Sequence, residues 1–379
     1  MKNIRFTFAL LATVFSSVTC FCQQAATSVS IPQKAIHTAF PFLLINSDAR
    51  TGAMGESGVA FLDDKNSLFS NPSKIAFSEA RNVSAVSYSP IMKSLADGIS
   101  LSSLSTVFRV NAKQSIGGTI RYLSLGTFEL VNDDRQSVGA FNPREMAIDL
   151  SYAQTFGDQL AIALTGRFIN SSLRSSGFLG DTNAGNASGF GVDISAIYKN
   201  EVTLVDRNLL FSVGMDISNI GPKISYSAQQ KEFLPTNLKI GSSLCLPMAG
   251  ADKFTLSLDL NKLLVPSPNY YGPDQQNRSY LDKSVPSAIF SSFSDADGGI
   301  SEEISEISVA TGIEFFFKNK FALRGGYFYE SPSKGNRRYL TLGTGIVFSR
   351  LALDIGYIAA NPDKTPMANA LKFTLFLRI

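Results

Sequence analysis

The last nine residues alternate: Leu371, Phe373, Leu375, Leu377 and Ile379 are apolar, and Lys372, Thr374, Phe376 and Arg378 between them are mostly polar. Successive strand side chains point to opposite faces, so this period of two describes a strand with one apolar face. The pattern recurs. Met146, Ile148, Leu150 and Tyr152 alternate with Ala147, Asp149, Ser151 and Ala153. Leu160, Ile162, Leu164 and Phe168 stand against Ala161, Thr165 and Arg167, and Phe254, Leu256, Leu258 and Leu260 against Thr255, Ser257, Asp259 and Asn261. Leu351, Leu353, Ile355 and Tyr357 repeat it once more. The strands fall near 84–90, 98–110, 114–126, 145–155, 160–170, 189–198, 208–219, 237–247, 253–262, 306–317, 320–330, 338–348, 351–358 and 369–379. Most approach the roughly nine to eleven residues that a tilted strand needs to cross a bilayer.

The connections alternate in length. Long ones at 127–144, 171–188, 220–236, 263–305 and 359–368 are separated by short turns near 111–113, 156–159, 248–252, 318–319 and 349–350. Long outer loops with short periplasmic turns are the signature of an outer-membrane barrel, and a soluble sandwich has no reason to segregate them. The expected fold is all-β: a transmembrane antiparallel barrel of about fourteen strands, multi-pass in a bacterial outer membrane. Asp149, Asp193, Asp216, Asp259, Glu314 and Asp354, with Arg121, Arg167, Lys239, Arg324, Lys372 and Arg378, share the register opposite the apolar face. A charge facing lipid costs a few kcal/mol, so these side chains are expected to point inward and pair with one another or with a plug.

Residues 1–22 read as an export signal, with Lys2 and Arg5 before the apolar run from Phe6 to Val18. A lipoprotein acylated at Cys20 or Cys22 is the alternative. Past that cut only Cys245 remains, which excludes an internal disulfide. A net charge of +3 gives no reason to expect nucleic acid as a partner. Residues 23–80 are expected to form a periplasmic or plug segment, and 81–379 the barrel. Residues 36–80 do not alternate. They combine apolar residues with Gly52, Gly55 and Gly58, then Asn71 and Pro72, and are too apolar to float free, so they should fold into the barrel mouth or pack below it. Without a following Lys-Ser or Lys-Thr pair these glycines make a poor phosphate loop.

The run AFPFLLINSDARTGAMGESGVAFLDDKNSLFSNPSKIAF resembles the opening segment of the PorV family, outer-membrane proteins of the type IX secretion system in Bacteroidota. Asp149-Leu-Ser-Tyr-Ala, Asp193-Ile-Ser-Ala, Asp216-Ile-Ser-Asn-Ile-Gly-Pro222 and Asp354-Ile-Gly-Tyr357 extend the resemblance along the barrel. It implies a barrel related to the fatty-acid transporters with its N-terminal segment in the lumen, where Phe40, Pro41, Arg50, Gly52, Met54, Gly55, Asn71 and Pro72 form the plug. It further implies capture of cargo C-terminal signal domains leaving the translocon barrel and their delivery to a sortase-like partner at the attachment complex. The competing reading is a plugged transporter for fatty acids or other hydrophobic molecules.

An enzyme is not expected. His37 is the one histidine and lies before the barrel, where no strand nucleophile can use it. Neither a metal centre nor a cofactor is expected, since Cys and His are too few and Asp295, Asp297, Glu302 and Glu303 lack EF-hand spacing. Outer-membrane lipids are expected partners, and Phe316, Phe328 and Phe376 on inward faces allow a small amphipathic cavity. Candidate cargo contacts lie in outer loops: Phe178 and Leu179 in 171–188, and Tyr270, Tyr271 and Tyr280 in 263–305. Tyr offers contact area at small ordering cost. From the residues alone, loops that merely cover the barrel mouth fit equally well, and the resemblance tips the balance toward cargo.

Overall fold

The computed structural model describes residues 34–62, 66–92, 96, 98–132, 136–173, 186–204, 207–227, 230–248, 250–268, 279–361, 365 and 367–378. The export signal, Ile379 and four of the five proposed cargo contacts (Phe178, Leu179, Tyr270 and Tyr271) lie outside them.

The strands are β1 (Asn82–Pro90), β2 (Ile99–Arg109), β3 (Gln114–Leu125), β4 (Phe128–Val131), β5 (Ser137–Phe141), β6 (Arg144–Phe156), β7 (Leu160–Ser172), β8 (Ala187–Leu204) and β9 (Arg207–Ile220). Then follow β10 (Ile224–Ser227), β11 (Gln230–Glu232), β12 (Asn237–Pro247), β13 (Lys253–Leu263), β14 (Ser308–Phe317), β15 (Phe321–Tyr329), β16 (Arg338–Phe348), β17 (Leu351–Ala359) and β18 (Leu371–Arg378). Fourteen of them form one closed antiparallel barrel in which barrel neighbours follow chain order. The first and last strands close it, from Val83 opposite Arg378 to Tyr88 opposite Phe373. The terminal strand therefore seals the sheet as its alternation implies, and closure leaves no barrel edge unpaired.

Period two sets what each face meets. On β6, Leu150 is 70% exposed on the outside, whereas Asp149 and Ser151 next to it are buried in the lumen. Short turns on the other end hold tight geometry. Lys318 and Asn319 both adopt left-handed φ (49° and 54°), closed by the Lys320 N–H on the Phe317 carbonyl at 2.9 Å. Two such residues in succession match the right-handed twist of the flanking strands.

Four connections differ from plain loops. The stretch 199–207, a connector between the expected strands 189–198 and 208–219, is largely strand: β8 continues through it and pairs with β9 as far as Leu204 opposite Arg207. Residues 127–144 hold the β4–β5 hairpin, and 220–236 hold β10–β11. The 263–305 connection folds into a 3-10 turn (Ser279–Asp282) and two short helices, α2 (Val285–Ser291) and α3 (Ile300–Ser305). α1 (Ala49–Ala53) is the helix of the pre-barrel segment.

Candidate functional site

The described pre-barrel residues occupy the lumen. They begin at the loop-bearing end, where the Ala39 N–H donates to the Phe233 carbonyl at 2.8 Å and Ile36 packs on the buried Phe233, Val265 and Ala288. They end at the short-turn end, where Phe77 packs with Ala153, Ala161 and Ile197 and the Arg81 carbonyl accepts from the Arg109 N–H. The segment thus runs the length of the barrel instead of packing below it.

Its local structure follows from its residues. Phe40 takes a left-handed φ of 51° just before Pro41, whose fixed φ starts a 3-10 turn (Pro41–Leu44). Phe40 and Phe42 are fully buried. The Asp48 side chain caps α1 by accepting the Thr51 N–H at 2.8 Å. Asn71 and Pro72 repeat the start signal for the 3-10 turn Pro72–Phe77, with the Asn71 Oδ1 accepting from the Ser73 N–H. The Asn71 Nδ2 also donates to the Val59 and Ala196 carbonyls at 2.9 and 3.1 Å, which ties segment to wall.

Wall residues satisfy the buried backbone of the segment group by group, as water-free burial requires. Thr374 Oγ1 accepts the Ala49 N–H at 2.9 Å, and Thr341 Oγ1 accepts the Gly55 N–H while donating to the Ala53 carbonyl, both at 2.8 Å. Asp259 Oδ2 accepts the Gly58 and Val59 N–H groups at 2.6 and 2.9 Å. Backbone lies this close because glycines face it. A Cβ at Gly312 would stand 2.6 Å from the Met54 carbonyl oxygen, and one at Gly326 would fall onto the Gly55 backbone. Gly55 itself has φ +68° and sits against Thr311 and Tyr327 main chain, so it answers to both conformation and space.

Two charged chains line the lumen. In one, Arg50 of the segment pairs with Glu314 at 2.7 Å, Glu314 with Arg324, and Arg324 with Asp354 at 2.8 Å. The Phe61 ring has the Arg50 guanidinium and the Lys74 ammonium each 4.6 Å from its centroid. Lys372, which passes over Gly52, joins Glu56 at 2.7 Å and the Asn46 carbonyl at 2.9 Å. In the other, Arg167 bridges Asp149 and Asp193, at 2.7 Å to each, and reaches Asn219; Arg121 adds Asp149 at 3.2 Å and the Leu43 carbonyl at 3.2 Å. Asp149, Asp193, Glu314, Asp354, Arg121, Arg167 and Arg324 thus pair with one another, and Glu314, Arg121 and Lys372 also hold the lumen segment.

A cavity of about 330 Å³ remains at the short-turn end. Arg50, Glu314, Arg324 and Asp354 line it with Phe316, Val347 and Phe376, and Arg378 is also part of the lining. Phe328 instead stacks on Tyr339, 5.1 Å between centroids.

At the opposite end the 263–305 connection forms a lobe clasped by lysines. Glu302 binds Lys34 at 2.7 Å and Lys334 at 2.8 Å, and Glu306 binds Lys262 at 2.7 Å, Lys334 at 2.8 Å and Ser267. Glu303 adds Lys262 at 2.9 Å, and Asp295 takes Lys283 at 3.0 Å. Asp295, Glu302, Glu303 and Glu306 are thus all paired with lysines. Partial burial pushes the Glu302 carboxyl up, but the two ammonium groups and the Gly298 N–H outweigh it and hold it at about 2. Glu306 is lowered by the same balance. A depressed carboxyl stabilises fully above its unfolded value of roughly 4.3 and loses that contribution as pH falls toward its folded value. Proteolysis within 279–305 in the folded protein is therefore expected to be slow at neutral pH and to accelerate between about pH 4 and 2. A cleavage rate flat across that window would remove the clasp from the account.

With its acids turned onto the lysines, α3 turns Ile300 (81% exposed) and Ile304 (63%) outward, and Phe290 (78%) and Phe293 (51%) of the α2 region are exposed with them. This apolar patch went unseen in the sequence, although Ile300 and Ile304 stand four apart beside Glu302 and Glu303, the spacing of one helix face. Tyr280 is half-buried in the 3-10 turn. All eight proposed plug residues lie within the lumen segment and none is exposed except Pro41.

The fold resembles outer-membrane channels. Solved structures similar to it include the CymD monoaromatic hydrocarbon channel (12% identity, 89% of this chain and 98% of that one, TM-score 0.50). The Pseudomonas putida toluene transporter TodX (11%, 87% and 98%, TM-score 0.48) and a Pseudomonas aeruginosa FadL homologue (12%, 90% and 98%, TM-score 0.39) are also similar. At such identities the likeness concerns the barrel alone. No curated protein sequence matches the chain. The family model "Type IX secretion system protein PorV" matches residues 28–270, more than half of the 379. With its closed barrel of outer-membrane type and this match, the chain belongs to the PorV family of type IX secretion system proteins.

Proposed function

We propose that this outer-membrane protein binds the C-terminal signal domains of secreted cargo as they leave the translocon barrel and delivers them to a sortase-like partner of the attachment complex. Residues 1–22 are the export signal in this reading, 23–80 the plug and 81–379 the barrel that carries the binding loops. The observation that carries it is the outer lobe, whose acids are internally neutralised and whose apolar face is exposed. Large apolar side chains left this exposed on one lobe favour an interaction surface. Ile300, Ile304, Phe290 and Phe293 join Tyr270, Tyr271, Tyr280, Phe178 and Leu179 as the contacts assigned to cargo. The plug fits this role, because a carrier that grips cargo from outside needs no open pore.

The test is co-purification from native membranes in mild detergent. Deleting 270–282, or combining Phe290→Ser, Ile300→Ser and Ile304→Ser, is expected to lower recovered cargo at least about tenfold, ~1.4 kcal/mol of binding. Recovery of the translocon should be kept. Unchanged cargo retention in both variants would remove the lobe from the mechanism. Wild-type protein that brings down lipids and neither cargo nor translocon would favour transport of hydrophobic molecules instead.

A further inference from the structure

β4 and β5 continue the β3–β6 hairpin above the barrel rim. On one side the ladder to β2 stops at Ile99 opposite Leu125, and on the other the ladder from β6 to β7 stops at Arg144 opposite Ser172. Past those points Phe128 pairs with Phe141, Glu129 with Ala140 and Leu130 with Gly139, as a sheet of two strands. Among the described residues no strand pairs with either outer edge.

Such an edge presents a row of main-chain donors and acceptors, and proteins commonly blunt it with Lys or Pro. Neither residue occurs in FELV of β4 or SVGAF of β5, where Glu129 is the single charge. The one irregularity falls between Leu130 and Val131, toward the tip, and leaves the base of the ribbon regular. The ribbon is also apolar on one face and open to solvent: Phe128 is 48% exposed, and Phe128, Leu130 and Phe141 share that face by register. Unpaired main chain of this kind specifies its occupant, an extended strand, and the alternate Phe and Leu side chains ask for apolar residues at every second position of it.

We infer that the β4–β5 ribbon takes up a strand of the cargo signal domain by edge-to-edge pairing, extending the ribbon to a third strand. This rests on the cargo-binding reading above and names its recognition mode. Main-chain pairing also suits a carrier of many cargoes, since the backbone is common to all of them and only the alternating apolar pattern need be shared.

The test is amide hydrogen exchange on the full-length protein in detergent, with and without a purified C-terminal signal domain from a substrate of the same secretion system. Exchange in peptides spanning 127–142 is expected to slow at least tenfold on binding. Replacing 128–141 by a short Gly-Ser turn should weaken binding at least tenfold, while Phe128→Ser with Phe141→Ser, which keeps the main chain, should weaken it less. Binding that slows 279–305 and leaves 127–142 unchanged would overturn edge pairing and spare the cargo reading. No binding at all would overturn both. Slowing at 127–142 that grows with the protein's own concentration, without signal domain, would assign the edge to a second copy and equally overturn the inference.

Discussion

Gly326→Val is expected to lower the urea midpoint of the detergent-solubilised barrel sharply and to raise its conductance in planar bilayers. Gly326 on β15 faces the lumen where the Gly55 backbone lies, and the valine would have to occupy the space of Gly55 N and the Met54 carbonyl carbon. Overpacking a buried site usually costs about 1–3 kcal/mol, and here the neighbour is main chain, which cannot rotate aside, so the upper end or beyond is expected. Displacing α1 from the wall would also cost the Thr341 contacts to Gly55 and Ala53. Conductance should be low in the wild type and rise in this variant, as it should when 36–60 is removed. A valine protein with wild-type midpoint and conductance would show that the segment does not rest on this wall.

Arg167→Met carries the second large effect. Arg167 holds Asp149 and Asp193 on adjacent strands and Asn219 beyond them, all buried. Removing one partner of a buried ion pair costs about 3–5 kcal/mol, because the other charge stays behind unneutralised. Asp149 keeps Arg121 and Thr119, and Asp193 keeps the Asn219 N–H, so the loss should fall near the lower end of that range. Combining Arg167→Met with Asp193→Leu should cost less than the sum of the single changes, measured by unfolding midpoints. Strict additivity would mean that the pair is not coupled.

The barrel was legible because lipid outside and polar packing inside impose opposite demands on alternate residues, so Leu150 and Asp149 betray their faces without any partner being known. The residues that fill the lumen stand out in the sequence as a break in that alternation and as glycines. Their contacts do not, since nothing in the sequence says that Gly55 meets Gly326 or that Arg50 meets Glu314, both more than two hundred and sixty residues apart. Residues 199–204 were misjudged as a connector because a strand that rises out of the bilayer no longer needs an apolar face. The exposed patch of Ile300 and Ile304 was hidden for a related reason. Amphipathic spacing tells that a helix has two faces, and only the positions of Lys34, Lys262 and Lys334 decide that the acidic one is turned inward.

The course of the pre-barrel segment bears on how the molecule is assembled. Residues near the beginning of the chain find their hydrogen-bond partners on strands made last, Thr341 on β16 and Lys372 and Thr374 on β18. Until those strands arrive, Ala49, Gly55 and the Asn46 carbonyl lack these wall contacts. Contacts of such sequence separation form slowly. The strand that seals the sheet against β1 is thus also one that holds the interior, so loss of the β1–β18 seam is expected to loosen the lumen segment with it.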